Sequence, residues 1–204
     1  MSSVQPLISP GSGDFETMLN EELDEHRQVF AATARELAQP VGEMLALWER
    51  GIRKGRKIVL FGNGGSAADA QHIAAEMVIR YKKDRQPIAA IALTTDTSSI
   101  TACGNDLGYD AVFARQVEAL GQEGDVAVGI STSGNSRNVI AALQQARARG
   151  MATTGLTGGD GGAMKELCDS LVIVPSNITA RIQEMHIMVG HILCKALETR
   201  LGLV

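Results

Sequence analysis

A chain of 204 residues can bury a full hydrophobic core, and 45% apolar with 21% charged residues marks a soluble, folded protein rather than a disordered one. A net charge of −4 without a lysine–arginine stripe, and only 3% aromatic residues, exclude a dominant nucleic-acid surface and base-stacking platforms. No apolar run approaches the ~18 residues needed to cross a bilayer, which excludes a helical membrane anchor.

In chain order, residues 1–13 are rich in Ser, Pro and Gly and are expected to be disordered. They lack the charged start and apolar block of a secretory leader. Residues 14–38 predict one long helix, with Phe15, Leu19, His26, Phe30, Thr33 and Leu37 at three- and four-residue steps. Such a helix covers either its own core or a partner chain. Pro40 starts a second helix, which Gly51 and Gly55 end.

Short apolar runs then alternate with helical segments. Strands are predicted at Lys57–Phe61, Ile88–Leu93, Asp125–Ile130, Thr153–Leu156 and Leu171–Val174. Helices are predicted near 67–80, 98–103, 110–120, 136–149, 160–168 and 180–200. Alternation with continuously apolar strands means an α/β fold: a doubly wound five-stranded parallel sheet of flavodoxin-like order 2-1-3-4-5, with ligands at the carboxyl ends of its strands. It forms a single domain over 14–204 that includes the N-terminal helices 14–54. Cys103, Cys168 and Cys194 are odd in number and far apart, so free thiols in a reducing compartment, the cytoplasm, are expected.

Three strand-to-helix loops suit an anion. The first is Gly62-Asn63-Gly64-Gly65-Ser66. Glycines let the backbone approach a phosphate, and a helix start offers unpaired N–H groups. With Ala67 it also fits G-x-G-x-x-A, yet the acidic residue that a dinucleotide site needs after the next strand, ~20 residues on, is out of place, since Asp96 lies too far along. No nucleotide cofactor is therefore expected. The second loop, Ser131-Thr132-Ser133-Gly134-Asn135-Ser136, has four hydroxyls where helix capping needs one. Neutral donors of this kind suit a phosphomonoester. The third, Thr157 to Gly162, is glycine-rich, and turn geometry alone accounts for it.

Beyond the first loop, Asp69, His72 and Glu76 share one helix face. By spacing alone such a pair is usually a solvated surface contact; its place just past a phosphate-type loop raises a metal or an acid–base role. The last helix is apolar but carries Arg181, Gln183, Glu184, His186 and His191. His186 reads as a core histidine bonded to backbone. Gln183 and His191 lie eight residues, ~12 Å, apart along a helix.

Taken together, the "GNGGS" loop (Phe61 before it, where relatives carry Cys), "AQHIAAE", "GND", "EGDVAVGISTSGNSRNVI", "LTGGDGG" and "RIQEMHIMVGHIL" resemble the sedoheptulose 7-phosphate isomerases, or phosphoheptose isomerases, of the sugar isomerase (SIS) domain superfamily. The resemblance covers about residues 14–200. It implies a cytoplasmic homotetramer with active sites at subunit interfaces, converting sedoheptulose 7-phosphate to D-glycero-D-manno-heptose 7-phosphate. That is the first step of activated heptose synthesis for lipopolysaccharide core or other surface glycans.

The resemblance places substrate contacts at Asn63, Gly64, Gly65, Ser66, Glu76, Asn105, Asp106, Ser131, Thr132, Ser133, Ser136 and Gln183. It gives Glu76 and His191 as the acid–base pair, and His72, Glu76, Gln183 and His191 as a site for one zinc per subunit. Ala180 departs from the family, some members of which have Asp there. Isomerisation through an enediol needs a base over the C1–C2 edge and an acid or Lewis acid at the oxygens. Glu76 suits the first task and His191 the second. Two rivals keep the fold: a non-catalytic SIS scaffold that binds a replication initiator protein, and an SIS enzyme for another sugar phosphate. Retention of Glu76 and His191 favours an enzyme.

Overall fold

The computed structural model describes residues 12–204. The segment expected to be disordered lies outside them, apart from Ser12 and Gly13, which open the first helix, α1 (Ser12–Glu36). Helix α2 (Ala38–Arg53) follows; Pro40 sits inside its first turn, where the missing N–H costs nothing. Gly51 is an interior residue of α2 rather than its stop, and the chain turns at Gly55, whose φ is +70°.

Five parallel strands form one sheet in the order β2-β1-β3-β4-β5. They are β1 (Ile58–Gly62), β2 (Ala90–Ala92), β3 (Val126–Ser131), β4 (Ala152–Gly158) and β5 (Ser170–Val174). Between them run α3 (Gly65–Val78), α4 (Thr97–Asp106), α5 (Val112–Leu120) and α6 (Arg137–Ala148), and α7 (Thr179–Arg200) closes the fold. The helix expected at 160–168 is only a 3₁₀ turn, Gly162–Glu166. Gly161 before it and Gly162 at its start both adopt positive φ and leave too few residues for an α-helix.

Alternation along the strands divides the core. Ile58, Leu60, Val126, Val128 and Ile130 face α2, α3 and α7, together with Met44, Trp48, Ile73, Met77, Val189 and Leu193. Val59, Phe61 and Ala127 face the opposite layer, with Phe113, Val117, Val139 and Leu143 of α5 and α6. Strands β1 and β3 are buried along their whole length, as parallel strands covered on both faces must be. Among the described residues no helix is long and apolar enough to cross a membrane. Cys103, Cys168 and Cys194 are free thiols.

Candidate active site

Strands β1 and β3 pair from Ile58↔Val126 to Gly62↔Ile130, so the loops that follow them leave the same carboxyl edge side by side. Side chains join the two loops. Asn63 Nδ2 donates to Asn138 Oδ1 (2.8 Å), and Asn138 Nδ2 returns a bond to Asn63 Oδ1 (2.9 Å). The Tyr109 hydroxyl donates to the same Asn63 oxygen (3.1 Å). Helix α3 opens at Gly65 with no side-chain cap.

One of the four hydroxyls in the second loop is expected to cap α6, and none does. Ser136 stands at the cap position, but its Oγ pairs with Ser131 Oγ (2.9 Å). The first N–H groups of both helices therefore lack side-chain acceptors, and two positive dipole ends converge on one edge. The third loop borders the second: Thr132 and Ser133 share a cavity of about 290 Å³ with Gly159, Asp160 and the start of α7.

The second half of the site lies where α3 packs on α7. A Cβ at Gly190 would stand 2.7 Å from Ile73 Cδ1, so only glycine permits this approach. The neighbours of these two residues in sequence, His72 and His191, consequently meet, with Nε2 atoms 3.0 Å apart. Glu76 Oε1 lies 3.4 Å from His72 Nε2, and the ligand-type atoms of His72, Glu76 and His191 fall within 4.8 Å of one another. The Tyr81 ring stands 5.5 Å from that of His191. Glu76 Oε2 is buried with no hydrogen-bond partner in the protein, a costly arrangement for a carboxylate unless a proton or cation joins it.

Two imidazoles and a carboxylate are a standard zinc donor set, and ligands at about 2.0–2.1 Å around a tetrahedral ion stand about 3.3–3.4 Å apart. The 3.0 and 3.4 Å separations fit such an ion. One turn before His72, burial pushes the Asp69 carboxyl up to about 6, with His72 opposing the shift. Its Oδ2 also lacks a partner. Asp69 shares the helix face of His72 and Glu76 but carried no assigned role; the three-residue step to His72 was its only signal in the sequence.

Gln183 stands apart from the three. Its amide lies against Gly65, where an added Cβ would collide with it. Gly65 precedes His72 by seven residues, about 10 Å along α3, so Gln183 faces the glycine loop rather than the histidines. Nearby, Arg181 is held by the Glu22 carbonyl (2.6 Å) and by Glu184 (2.8 Å), which tethers α1 to the start of α7 beside Ala180. Asn105 and Asp106 end α4 and bond each other (2.7 Å), three residues before Tyr109 reaches Asn63. Asp106 also borders a cleft of about 700 Å³ between β2, α4 and α5, which none of the three loops enters. His186 is fully buried and points Nε2 at the Thr157 carbonyl (3.1 Å), as a core histidine.

Comparison with known proteins bears on this pairing of two loops at uncapped helix starts with a histidine–glutamate cluster. The family model of the SIS domain matches residues 23–158. The phosphoheptose isomerase of Paramagnetospirillum magneticum is 53% identical over 184 residues, covering 90% of this chain and 96% of that protein. The chain belongs to the phosphoheptose isomerase family. The phosphoheptose isomerase of Geobacter sulfurreducens is 55% identical over 183 residues, covering 90% and 97%. Among solved structures, the phosphoheptose isomerase of Neisseria gonorrhoeae superposes with a TM-score of 0.86 at 44% identity, covering 91% of this chain and 99% of that one. That of Francisella tularensis gives 0.87 at 35%, covering 90% and 97%. These family members have the same five-stranded architecture at nearly full length.

Proposed function

We propose that the chain is an aldose–ketose isomerase that converts sedoheptulose 7-phosphate to D-glycero-D-manno-heptose 7-phosphate, the first step toward activated heptose for lipopolysaccharide core or surface glycans. The observation that carries this is the His72–Glu76–His191 cluster beside two uncapped helix starts, in a chain of this family. The phosphate rests on the loop of Ser131, Thr132, Ser133 and Ser136, where hydroxyls and N–H groups bind without a cationic side chain. Asn63, Gly64, Gly65, Ser66 and Gln183 line the sugar, and Asn105 and Asp106 extend that wall. Glu76 removes the C1 proton and returns it to C2, and His191 moves protons at the two oxygens. Asn63, held by Asn138 and Tyr109, keeps its loop rigid while the substrate turns over.

Zinc is the proposed metal, held by His72, Glu76 and His191, with Gln183 completing the set only by turning its amide away from Gly65. When bound, it supplies Lewis-acid polarisation of the carbonyl oxygen. The substrate is a free sugar phosphate, and no nucleotide cofactor, nucleic acid or membrane takes part. A homotetramer with sites at subunit interfaces accounts for the exposure of Phe15, Met18, Leu19, Leu23 and Phe30 on α1, and of the His72 side chain at 49%. Three free thiols suit the cytoplasm. The test is isomerisation of sedoheptulose 7-phosphate by the purified protein, after chelation and again after zinc is restored. Turnover that chelation abolishes and zinc restores is expected. No turnover in either state, by a folded protein, overturns the reading in favour of a silent scaffold. Preference for another phosphoketose redirects it to a different sugar phosphate.

A further inference from the structure

Arg85, between α3 and β2, is 1% exposed at its side chain and pairs with Glu198 on the last turns of α7, itself 3% exposed (Nε to Oε1, 2.8 Å). The remaining donors of the guanidinium go to backbone. Nη2 reaches the Glu76 carbonyl (2.8 Å), and Nη1 reaches the carbonyls of Met77 (2.7 Å) and Gln86 (3.0 Å). Glu198 Oε1 also accepts from the Tyr81 N–H (3.1 Å). A buried ion pair is weak evidence for stability, because desolvation offsets most of its attraction. What this pair touches is more informative.

Helix α3 ends at Val78, so its last carbonyls have lost their helical donors. Met77 O recovers one from Ile88 N (3.0 Å), whereas among the described residues no backbone N–H reaches Glu76 O. Among the described residues Arg85 alone donates to the carbonyl of the residue whose carboxylate enters the His72–Glu76–His191 cluster. On the other side, Glu198 is seven residues after His191, two turns along the same rigid helix and on the same face. The Tyr81 N–H that it fixes carries the ring packed beside His191.

We propose that Arg85 and Glu198 form a positioning clamp. It locks the C-terminal turn of α3 to α7 and so holds Glu76, His72 and His191 at metal-binding separation. The clamp adds an ion pair to the α3–α7 contacts of Gly65 with Gln183, Ile73 with Gly190 and His72 with His191. Its metal arm rests on the zinc reading above.

The test uses the full chain with cobalt(II) as the probe. Uptake is followed by the visible d–d band and by competition with a chelator, alongside urea unfolding. Four variants are compared: Arg85→Lys, Glu198→Gln, the double variant Arg85→Met/Glu198→Leu, and Asp125→Asn. Asp125 is a buried partner of Lys57 at the opposite end of the sheet and serves as a control for lost stability alone. The three clamp variants are expected to bind cobalt about 10–100-fold more weakly, with an altered band, as loss of a group that supports a ligand does. Asp125→Asn is expected to unfold more easily yet bind cobalt as the native chain does. Native affinity and band in Arg85→Lys and Glu198→Gln overturn the clamp; should the double variant fail to fold, these two decide. If the native chain takes up no cobalt, the metal reading fails and turnover decides instead. A kcat about tenfold lower in Arg85→Lys, with KM little changed, then supports the clamp, and an unchanged kcat overturns it.

Discussion

Glu76 has two claims on one carboxylate. Its Oε1 lies near His72 while Oε2 is buried without a partner, so the group has one oxygen for an ion and one for a proton. Replacing it by Gln keeps the shape and removes the basicity. Turnover of sedoheptulose 7-phosphate by Glu76→Gln is expected to drop about 10²–10⁴-fold, the usual worth of a general base, in a steady-state assay. A second expectation concerns His186. Burial holds it neutral down to about 4, with the bond to Thr157 opposing the shift. In the unfolded chain it titrates near 6.5, so below that pH unfolding takes up a proton. Stability is fully present above 6.5 and declines as pH falls toward 4, by at most about 3 kcal/mol for this group. Urea unfolding at pH 7 and pH 4.5 is expected to show a shallower acid loss in His186→Gln. His186 as a core residue was legible in the sequence because an apolar helix surrounds it. Asp69 was not, since its exceptional property is burial, which a three-residue spacing does not reveal.

At the scale of elements, the strand order and the adjacency of the two anion loops followed from alternating apolar runs and helical segments. Periodicity is local, however, and could not say what α7 meets. Along the helix Gln183 and His191 are ~12 Å apart; the contacts at Gly65 and Gly190 show that they address the start and the middle of α3. A direct consequence attaches to Gly65→Ala. Alanine favours a helix start over glycine, and the group it displaces is the flexible tip of Gln183. Unfolding stability is expected to change by less than about 1 kcal/mol, while KM for the sugar phosphate rises several-fold. Denaturant titration together with kinetics checks both. The third glycine-rich loop, whose composition suggests a turn, also walls the cavity beside Thr132 and Ser133, a neighbourhood that composition does not reveal.

For the whole molecule, the apolar stripe of α1 is the chief unfinished surface. Leu19 and Leu23 are each 43% exposed and one turn apart. If the proposed tetramer is built on this stripe, the double variant Leu19→Glu/Leu23→Glu is expected to sediment as a smaller species than the native protein in analytical ultracentrifugation, and to lose turnover with it. The alternatives of own core or partner chain for this helix were both open in the sequence, because three- and four-residue spacing marks an apolar face without saying what covers it. The histidine–glutamate cluster also has a consequence for how the protein is made. Two of its members sit on α3, but His191 arrives only with α7, the last element, after every strand has been laid down. The three candidate ligands are thus never together in the nascent chain until α7 has been made. A chain truncated ahead of residue 191 would lose the third member of the candidate cluster together with Leu193 and Leu197, which cover β1 and β3, so the cluster and that face of the core are completed in one step.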